Sequence, residues 1–444
     1  MPNTKHGHVK RALKGELMAF KTRKSISAMA LGMSLALVAS EQAAATEGYF
    51  QHGWGARHGA LGGAGVADGR DASAAALNPA SLVKAGNSLQ IAASLFSPRR
   101  KTTGTGEPGL APLGTVESIT NYFLVPNIAY SKQIDENSAW GITVYGNGGM
   151  NSDYPAVPRA LAECGGGNGV FCGGAAGVNL SQAFIAPGYA RSFGKVTFGV
   201  TPLLVMQLFE AKGLGAFAGF SSDPTNLTGP GVDTSFGFGA KFGFEAELSD
   251  NMRLGGSYQT RVKMSPFETY AGLFADQGDF DVPKNFQVGF AADAGKMTIM
   301  ADYKRIYYSS IGSVGGTANV ALPFGFAGGP GFGWDDVDVY KFGMEYRTSG
   351  DFTWRLGYAR NSAAITPGEL TLNILAPATV KSHITGGFSY KVSDKSYIEV
   401  AGMYAPNVAI SGAEPAAFGN PNHINTIEMK QYSFTVSWTI KLGD

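Results

Sequence analysis

The sequence predicts an all-β fold, a fourteen-stranded antiparallel transmembrane β-barrel. Three observations point there: a period of two from residue 88 onward, connections that alternate between short and long, and a composition rich in glycine and aromatics but poor in charge. The 62 glycines, 28 phenylalanines and 18 tyrosines stand beside only 16% charged residues, a profile wrong for a helical enzyme.

The alternation is plainest over residues 236–245. Phe236, Phe238, Ala240, Phe242 and Phe244 share one face, and Gly237, Gly239, Lys241, Gly243 and Glu245 share the other. The same pattern sets Tyr340, Phe342, Met344 and Tyr346 against Lys341, Gly343, Glu345 and Arg347. It also sets Tyr432, Phe434, Val436, Trp438 and Ile440 against their polar neighbours. A soluble sandwich alternates too, with its apolar face as the core. Here the polar face is heavy in glycine, and the apolar face ends repeatedly in tyrosine or tryptophan, as interfacial girdles do.

Short turns are expected near Asp135-Glu136-Asn137, Gly194, Asp250-Asn251, Ala294-Gly295, Gly350-Asp351 and Asp394-Lys395. Longer connections are expected at about 99–119, 149–178, 210–233, 265–283, 308–337, 363–379 and 410–427. Six turns and seven loops join fourteen strands, which leaves both chain ends on the periplasmic side. Closure also removes every sheet edge, as a lipid environment requires.

Residues 1–45 read as a secretory signal with an upstream extension. Lys21, Arg23 and Lys24 precede an apolar stretch from Ile26 to Ala39, and Ala43-Ala44-Ala45 offers a cleavage site. Met18 would serve as the start of an ordinary signal. No later segment has eighteen uninterrupted apolar residues. Without the seven Lys/Arg and two Asp/Glu of residues 1–45, the mature part keeps 28 basic and 32 acidic residues, near −4. That balance gives no basis for nucleic-acid binding. Cys164 and Cys172 flank a glycine-rich run, and an exported chain can oxidise them, so a loop disulfide is expected over free thiols. Two cysteines without a nearby histidine give no metal site, and no cofactor is expected.

Residues 46–87 do not alternate and fit a compact, partly helical, glycine-rich plug. Gly62, Gly63 and Gly65 permit close backbone approach. A phosphate-cradling loop is the rival, but the run lacks the Lys-Ser/Thr of a P-loop. Asn78-Pro79 reads as a turn initiator. Two outer loops carry apolar residues where polar ones are usual: Phe209, Leu214, Phe217 and Phe220 in the third, and Phe267, Tyr270, Leu273 and Phe274 in the fourth. These residues either pack the loops together or form a binding surface. Arg261, Lys263, Lys304 and Arg355 fall on the expected inward phase. They would suit a substrate carboxylate, and are ordinary lumen residues without one. Gly146-Asn147-Gly148-Gly149 closes the third strand with either a bend or the start of a loop.

The chain resembles the FadL family of outer-membrane long-chain fatty-acid and hydrocarbon transporters. The resemblance rests on Gly62-Gly63-Ala64-Gly65-Val66-Ala67, on Asp68 and Asp71, and on Asn78-Pro79-Ala80. It continues in Val125-Pro126-Asn127-Ile128-Ala129-Tyr130, Trp140-Gly141-Ile142-Thr143 and the strand rhythm. It implies that residues 46–87 form a hatch inside a barrel of residues 88–444, with Asn78-Pro79 closing the hatch against the wall. It implies an apolar capture groove on the two loops, and a kinked third strand with a lateral opening at Gly146, Asn147, Gly148 and Gly149. The implied function is passive uptake of a hydrophobic small molecule, with outer-membrane lipid and the barrel-assembly machinery as partners. One departure is that many such barrels finish on an aromatic residue, whereas this chain continues past Trp438 to Leu442-Gly443-Asp444. A porin for polar solutes would lack the plug. A hydrolase would need a nucleophile beside a base, and no G-x-S-x-G elbow accompanies His52, His58, His383 or His423.

Overall fold

The structure is a computed structural model that describes residues 46–417 and 419–443; the signal expected over residues 1–45 lies outside the described residues. Fourteen long strands pair antiparallel in chain order: β1 (Ser88–Gly106), β2 (Phe123–Asp135), β3 (Ser138–Tyr154), β4 (Ala176–Phe193), β5 (Val196–Lys212), β6 (Asp233–Ser249) and β7 (Met252–Gln259), then β8 (Asn285–Ala294), β9 (Met297–Ile306), β10 (Val337–Arg347), β11 (Phe352–Asn361), β12 (Ser382–Ser393), β13 (Ser396–Ala413) and β14 (His423–Lys441). The sheet closes through β1 and β14, from Ser88↔Lys441 to Gly106↔His423. Two short strands belong to loops: Gly114–Glu117 pairs with β1, and Lys263–Met264 with β6.

The six short turns fall where expected. Several strands run further than the sequence suggested: β1 continues to Gly106, β3 to Tyr154 and β13 to Ala413. Arg99-Arg100-Lys101 looks like loop by composition. Above the membrane band, however, a hairpin can stay paired with charged side chains on both faces.

Burial is inverted relative to a soluble sandwich. Phe236, Phe342, Phe434 and Trp438 are at least half exposed, while Lys241, Glu245, Lys341, Glu345, Gln431 and Ser437 on the opposite faces are buried. A polar interior with an apolar exterior is stable only when lipid is the outer solvent. Aromatics gather toward the turns, where Tyr130 stacks near Trp140 and Phe352 near Trp354 and Tyr390. They gather again toward the loops, at Tyr303 with Tyr340 and Tyr404 with Tyr432. No helix among the described residues is long and apolar enough to cross a membrane. The strands make the crossing.

The lumen is filled by residues 46–87, about three quarters of them buried. Inward glycines make room for this hatch. A methyl group at Gly199 would overlap the Pro79-Ala80 backbone, at Gly243 the Asn78 side chain, at Gly255 the Val66 carbonyl, and at Gly357 the Leu61-Gly62 backbone. The glycine-heavy inner face is therefore a seat for the hatch.

Candidate functional site: a lumen in three tiers

Toward the turns the hatch is held by ions. Asp68 accepts from Arg57 at 2.5 Å, Arg253 at 2.7 Å and Arg70 at 2.9 Å. Glu345 on β10 takes Arg57 at 3.1 Å, Arg355 at 2.9 Å, Arg347 at 3.3 Å and Arg70 at 3.4 Å. Asp293 joins Arg253 at 2.6 Å and Arg70 at 3.2 Å. Five arginines thus converge on three carboxylates, and Arg355 also reaches Glu399 at 3.1 Å. Beside this floor the Asn78 amide donates to the Val66 and Phe244 carbonyls at 2.7 and 2.9 Å, tying the hatch to β6. Asp71 caps its own turn by accepting from the Ser73 hydroxyl at 2.6 Å and the Ala74 N–H at 3.1 Å.

In the middle tier the glycine-rich turn holds a carboxylate. Gly62, Gly63 and Gly65 have φ of +64°, +76° and +119°. The N–H groups of Gly65 and Val66 donate to one oxygen of Asp302 at 2.8 and 2.9 Å. This geometry could have cradled a phosphate, and a residue of the barrel occupies it. Glu47, fully buried, bonds Lys304 and Lys341 at 2.6 Å each and His52 at 3.1 Å.

The upper tier is apolar. Phe209 packs on Phe274, Tyr270 and Phe267 with ring centroids at 4.6, 4.8 and 5.5 Å, and Phe217 lies 5.3 Å from Phe171 and 5.6 Å from Phe324. A cavity of about 30 Å³ opens among Val178, Phe209, Leu214, Phe217, Leu273, Phe274, Phe324, Phe332, Leu372 and Leu375. Below it Phe274 meets Phe280 at 4.8 Å, and Phe280 meets Tyr49 of the hatch at 6.1 Å. Tyr49 in turn meets Trp334 at 5.8 Å. Beyond Trp334 a second cavity of about 30 Å³ touches Phe96, Gly149, Met150 and Met429. A third, of about 50 Å³, touches Trp54, Phe96, Val125 and Met403. Each has room for only a water or two, so a larger guest must displace side chains.

Both lower cavities adjoin a break in the wall. β2 pairs with β3 only from Asn127↔Tyr145 toward the turn, and above Tyr145 β3 pairs with β4 alone. The register to β4 shifts between Gly146 and Gly148, which makes Asn147 a bulge, and Gly148 has φ of +145°. The gap faces Phe123–Pro126. It is roofed by the first loop, whose Ile119 N–H donates to Asp153 O at 2.8 Å and whose Thr120 carbonyl accepts from Arg100. Inside the gap the hatch supplies the missing partner. Gln51 N–H donates to Asn147 O at 2.9 Å, Gly149 N–H to Tyr49 O at 3.0 Å, and the Trp54 indole N–H to Gly146 O at 3.2 Å. Backbone groups that β2 leaves open are thereby satisfied.

The structure gathers most of the expected apolar loop residues in one cluster, with one exception: Phe220 is 46% exposed and does not line the cavity. The four cations are redistributed. Arg261 and Lys263 do not enter the lumen. The register of β6 against the chain slips by one residue across Thr260, which turns Val262 and Met264 inward and leaves both cations at the rim, paired with Asp279 and Asp281. Lys304 is inside but committed to Glu47, and Arg355 lies in the ionic floor. The loops expected at 308–337 and 363–379 form as 307–336 and 362–381, and they join the apolar cluster, which the sequence reading assigned to only two loops. Their Phe324, Phe332, Trp334, Leu372 and Leu375 carry the same signal, apolar side chains in an outer loop, that marked the other two. Cys164 and Cys172 are joined in a disulfide within the loop after β3. Among the described residues no group of three His, Cys, Asp or Glu could hold a metal.

A search of curated protein sequences gives no match. The fold is similar to that of the P. putida toluene transporter TodX, at 20% identity and a TM-score of 0.66 over 88% of this chain and 99% of that one. It is similar to a Pseudomonas aeruginosa FadL homologue at 13% identity, TM-score 0.65, over 89% and 100%. It is also similar to the Ralstonia pickettii toluene transporter TbuX at 17% identity, TM-score 0.59, over 88% and 99%. These likenesses bear on the fold. The model of outer membrane protein transport proteins (OMPP1/FadL/TodX) matches residues 33–417, and with that span the chain belongs to this family of bacterial outer-membrane transport proteins.

Proposed function

We propose that the chain is a passive conduit for hydrophobic small molecules, captured at the outer loops and released sideways into the bilayer through the gap between β2 and β3. The observation that carries this reading is the line of three small cavities from the outer loops, past Tyr49 and Trp334, to the edge of the gap. Release into lipid suits an apolar cargo, because returning it to water costs about 0.8 kcal/mol for each methylene. The ionic floor closes the axial route toward the turns. Tyr49 and Gln51 both line the path and complete the β3 backbone, so a guest that displaces them loosens the gap it leaves by.

Among hydrophobic cargoes the upper tier favours uncharged ones such as monoaromatic hydrocarbons. No cation lines its first cavity, and Arg261, Lys263 and Lys304 beyond it are all paired; Arg100 at the second cavity donates to the Asn151 and Thr120 carbonyls and has no carboxylate partner among the described residues. TodX and TbuX are described as toluene transporters. The chemistry is partition and not bond breaking, so no catalytic role is assigned. The test is whole-cell uptake of labelled toluene and labelled long-chain fatty acid at limiting concentration, with the folded barrel quantified in each strain. Faster entry of toluene than in cells lacking the protein is expected. Entry no faster than in those cells, for both probes, overturns the reading.

A further inference from the structure

On the outer surface at the closing seam, cations gather just above the apolar band. On the lipid-facing side of β1 and β14 the cross-strand pairs toward the loops run Ile91↔Trp438, Ala93↔Val436, Leu95↔Phe434, Ser97↔Tyr432, Arg99↔Lys430 and Lys101↔Glu428. The apolar band ends at Tyr432, and the next pair places two cations directly opposite each other. Like charges in register are destabilising unless something anionic lies between or above them.

The local carboxylates do not meet that need. Glu428 is taken by Lys101 at 3.1 Å and by the Asn407 amide at 2.8 Å. Glu117, on the short strand of the first loop, is opposite Lys101 in register, one step further from the membrane. Neither Arg99 nor Lys430 has a carboxylate within ion-pair distance among the described residues. Arg99 is oriented by the Tyr122 hydroxyl, to which it donates at 2.8 Å, and its guanidinium lies 5.0 Å from that ring. Lys430 is exposed. An outward arginine elsewhere on this rim is different: Arg305 is neutralised by Asp336 and Asp338 at 3.2 and 3.0 Å.

Four cations, Arg99, Arg100, Lys101 and Lys430, line an open cleft of about 650 Å³ against two carboxylates, Glu117 and Glu428, so that cations remain in excess. The cleft carries a net excess of cations beside the Tyr432 ring, one residue pair above the edge of the hydrocarbon band. Arginine and lysine at that depth are suited to a phosphate monoester on a lipid headgroup. We propose that this seam binds a phosphate of lipid A, the phosphorylated glycolipid of the outer leaflet. Its acyl chains would lie along the exposed Leu95, Phe434 and Val436, and its sugar would occupy the cleft.

The experiment is native mass spectrometry of the full detergent-extracted barrel titrated with bisphosphorylated lipid A, with dephosphorylated lipid A and with inorganic phosphate. Wild type, the Arg99→Gln/Lys430→Gln double variant and the charge reversal Lys430→Glu are compared, each first shown to be folded by heat-modifiable migration. The expected result is retention of bisphosphorylated lipid A at least about tenfold better than the dephosphorylated form, with that advantage lost in both variants. Equal retention of the two lipids by wild type overturns the proposal, as does an undiminished advantage in the folded variants. Competition by inorganic phosphate alone, with no preference among lipids, marks an anion site that is not a lipid site and overturns it as well.

Discussion

Within one lumen the hatch meets two opposite walls. Toward the turns Asp68 and Glu345 gather Arg57, Arg70, Arg253, Arg347 and Arg355. Toward the loops Tyr49 and Phe50 meet Tyr308, Phe280 and Trp334. The first kind of contact is directional, and breaking a buried pair leaves a charge uncompensated, at a cost of about 3–5 kcal/mol. The second is an accumulation of small dispersion contacts that an apolar guest can replace one by one. Under the proposed function, a hatch fixed at one end and displaceable at the other would yield to hydrophobic cargo while refusing ions.

The largest effect expected from this contrast lies at the gap. Replacing Gly148 and Gly149 with valine removes a residue at φ +145°, which a β-branched side chain does not adopt, and favours a regular strand that can pair with β2. Uptake of labelled toluene should fall by about tenfold or more, with expression and heat-modifiability unchanged. Wild-type uptake in a correctly assembled double variant would restore axial passage as the better account.

The second intervention attacks the floor. Asp68→Asn leaves three arginines short of charge and should loosen the hatch by about 3 kcal/mol. Entry of a small polar dye into cells should then rise several-fold while toluene uptake is kept. A dye rate equal to wild type would show that the floor is not the seal.

Third, Phe217→Ser with Phe274→Ser removes two buried rings from the upper cluster, at roughly 3 kcal/mol each. Because the loss falls in loops outside the membrane band, the barrel should still assemble. Uptake at limiting substrate should drop about threefold to tenfold. An unchanged rate would return those loops to a packing role alone.

The smallest effect is expected at Cys164 and Cys172. Their bond closes a short ring within one loop and is worth about 2 kcal/mol there, so Cys164→Ser should change uptake by less than about twofold. Free-thiol labelling of both cysteines in intact cells without reductant would contradict the bond itself.

Strand number, the six turns and the inverted faces were legible because a period of two is a local property of the chain: Phe236, Phe238 and Phe242 announce a lipid face wherever they fold. The hatch glycines were legible as places where backbone must come close. What they come close to was not, because Asp302 lies more than two hundred residues from Gly65. The true phase of Arg261 and Lys263 is not legible for a related reason. One unpaired residue near Thr260 reverses every side chain after it, and nothing local in the sequence marks the slip.

By itself, then, the sequence determined the barrel, its inverted faces and two of the four apolar loops, all of which follow from short-range patterning against two solvents. Only the tertiary structure decided which loops share the upper cavity, which cations are already paired, and that the hatch completes the broken edge of β3. These depend on contacts between residues far apart in the chain, whose geometry is set only once the barrel has closed around residues 46–87.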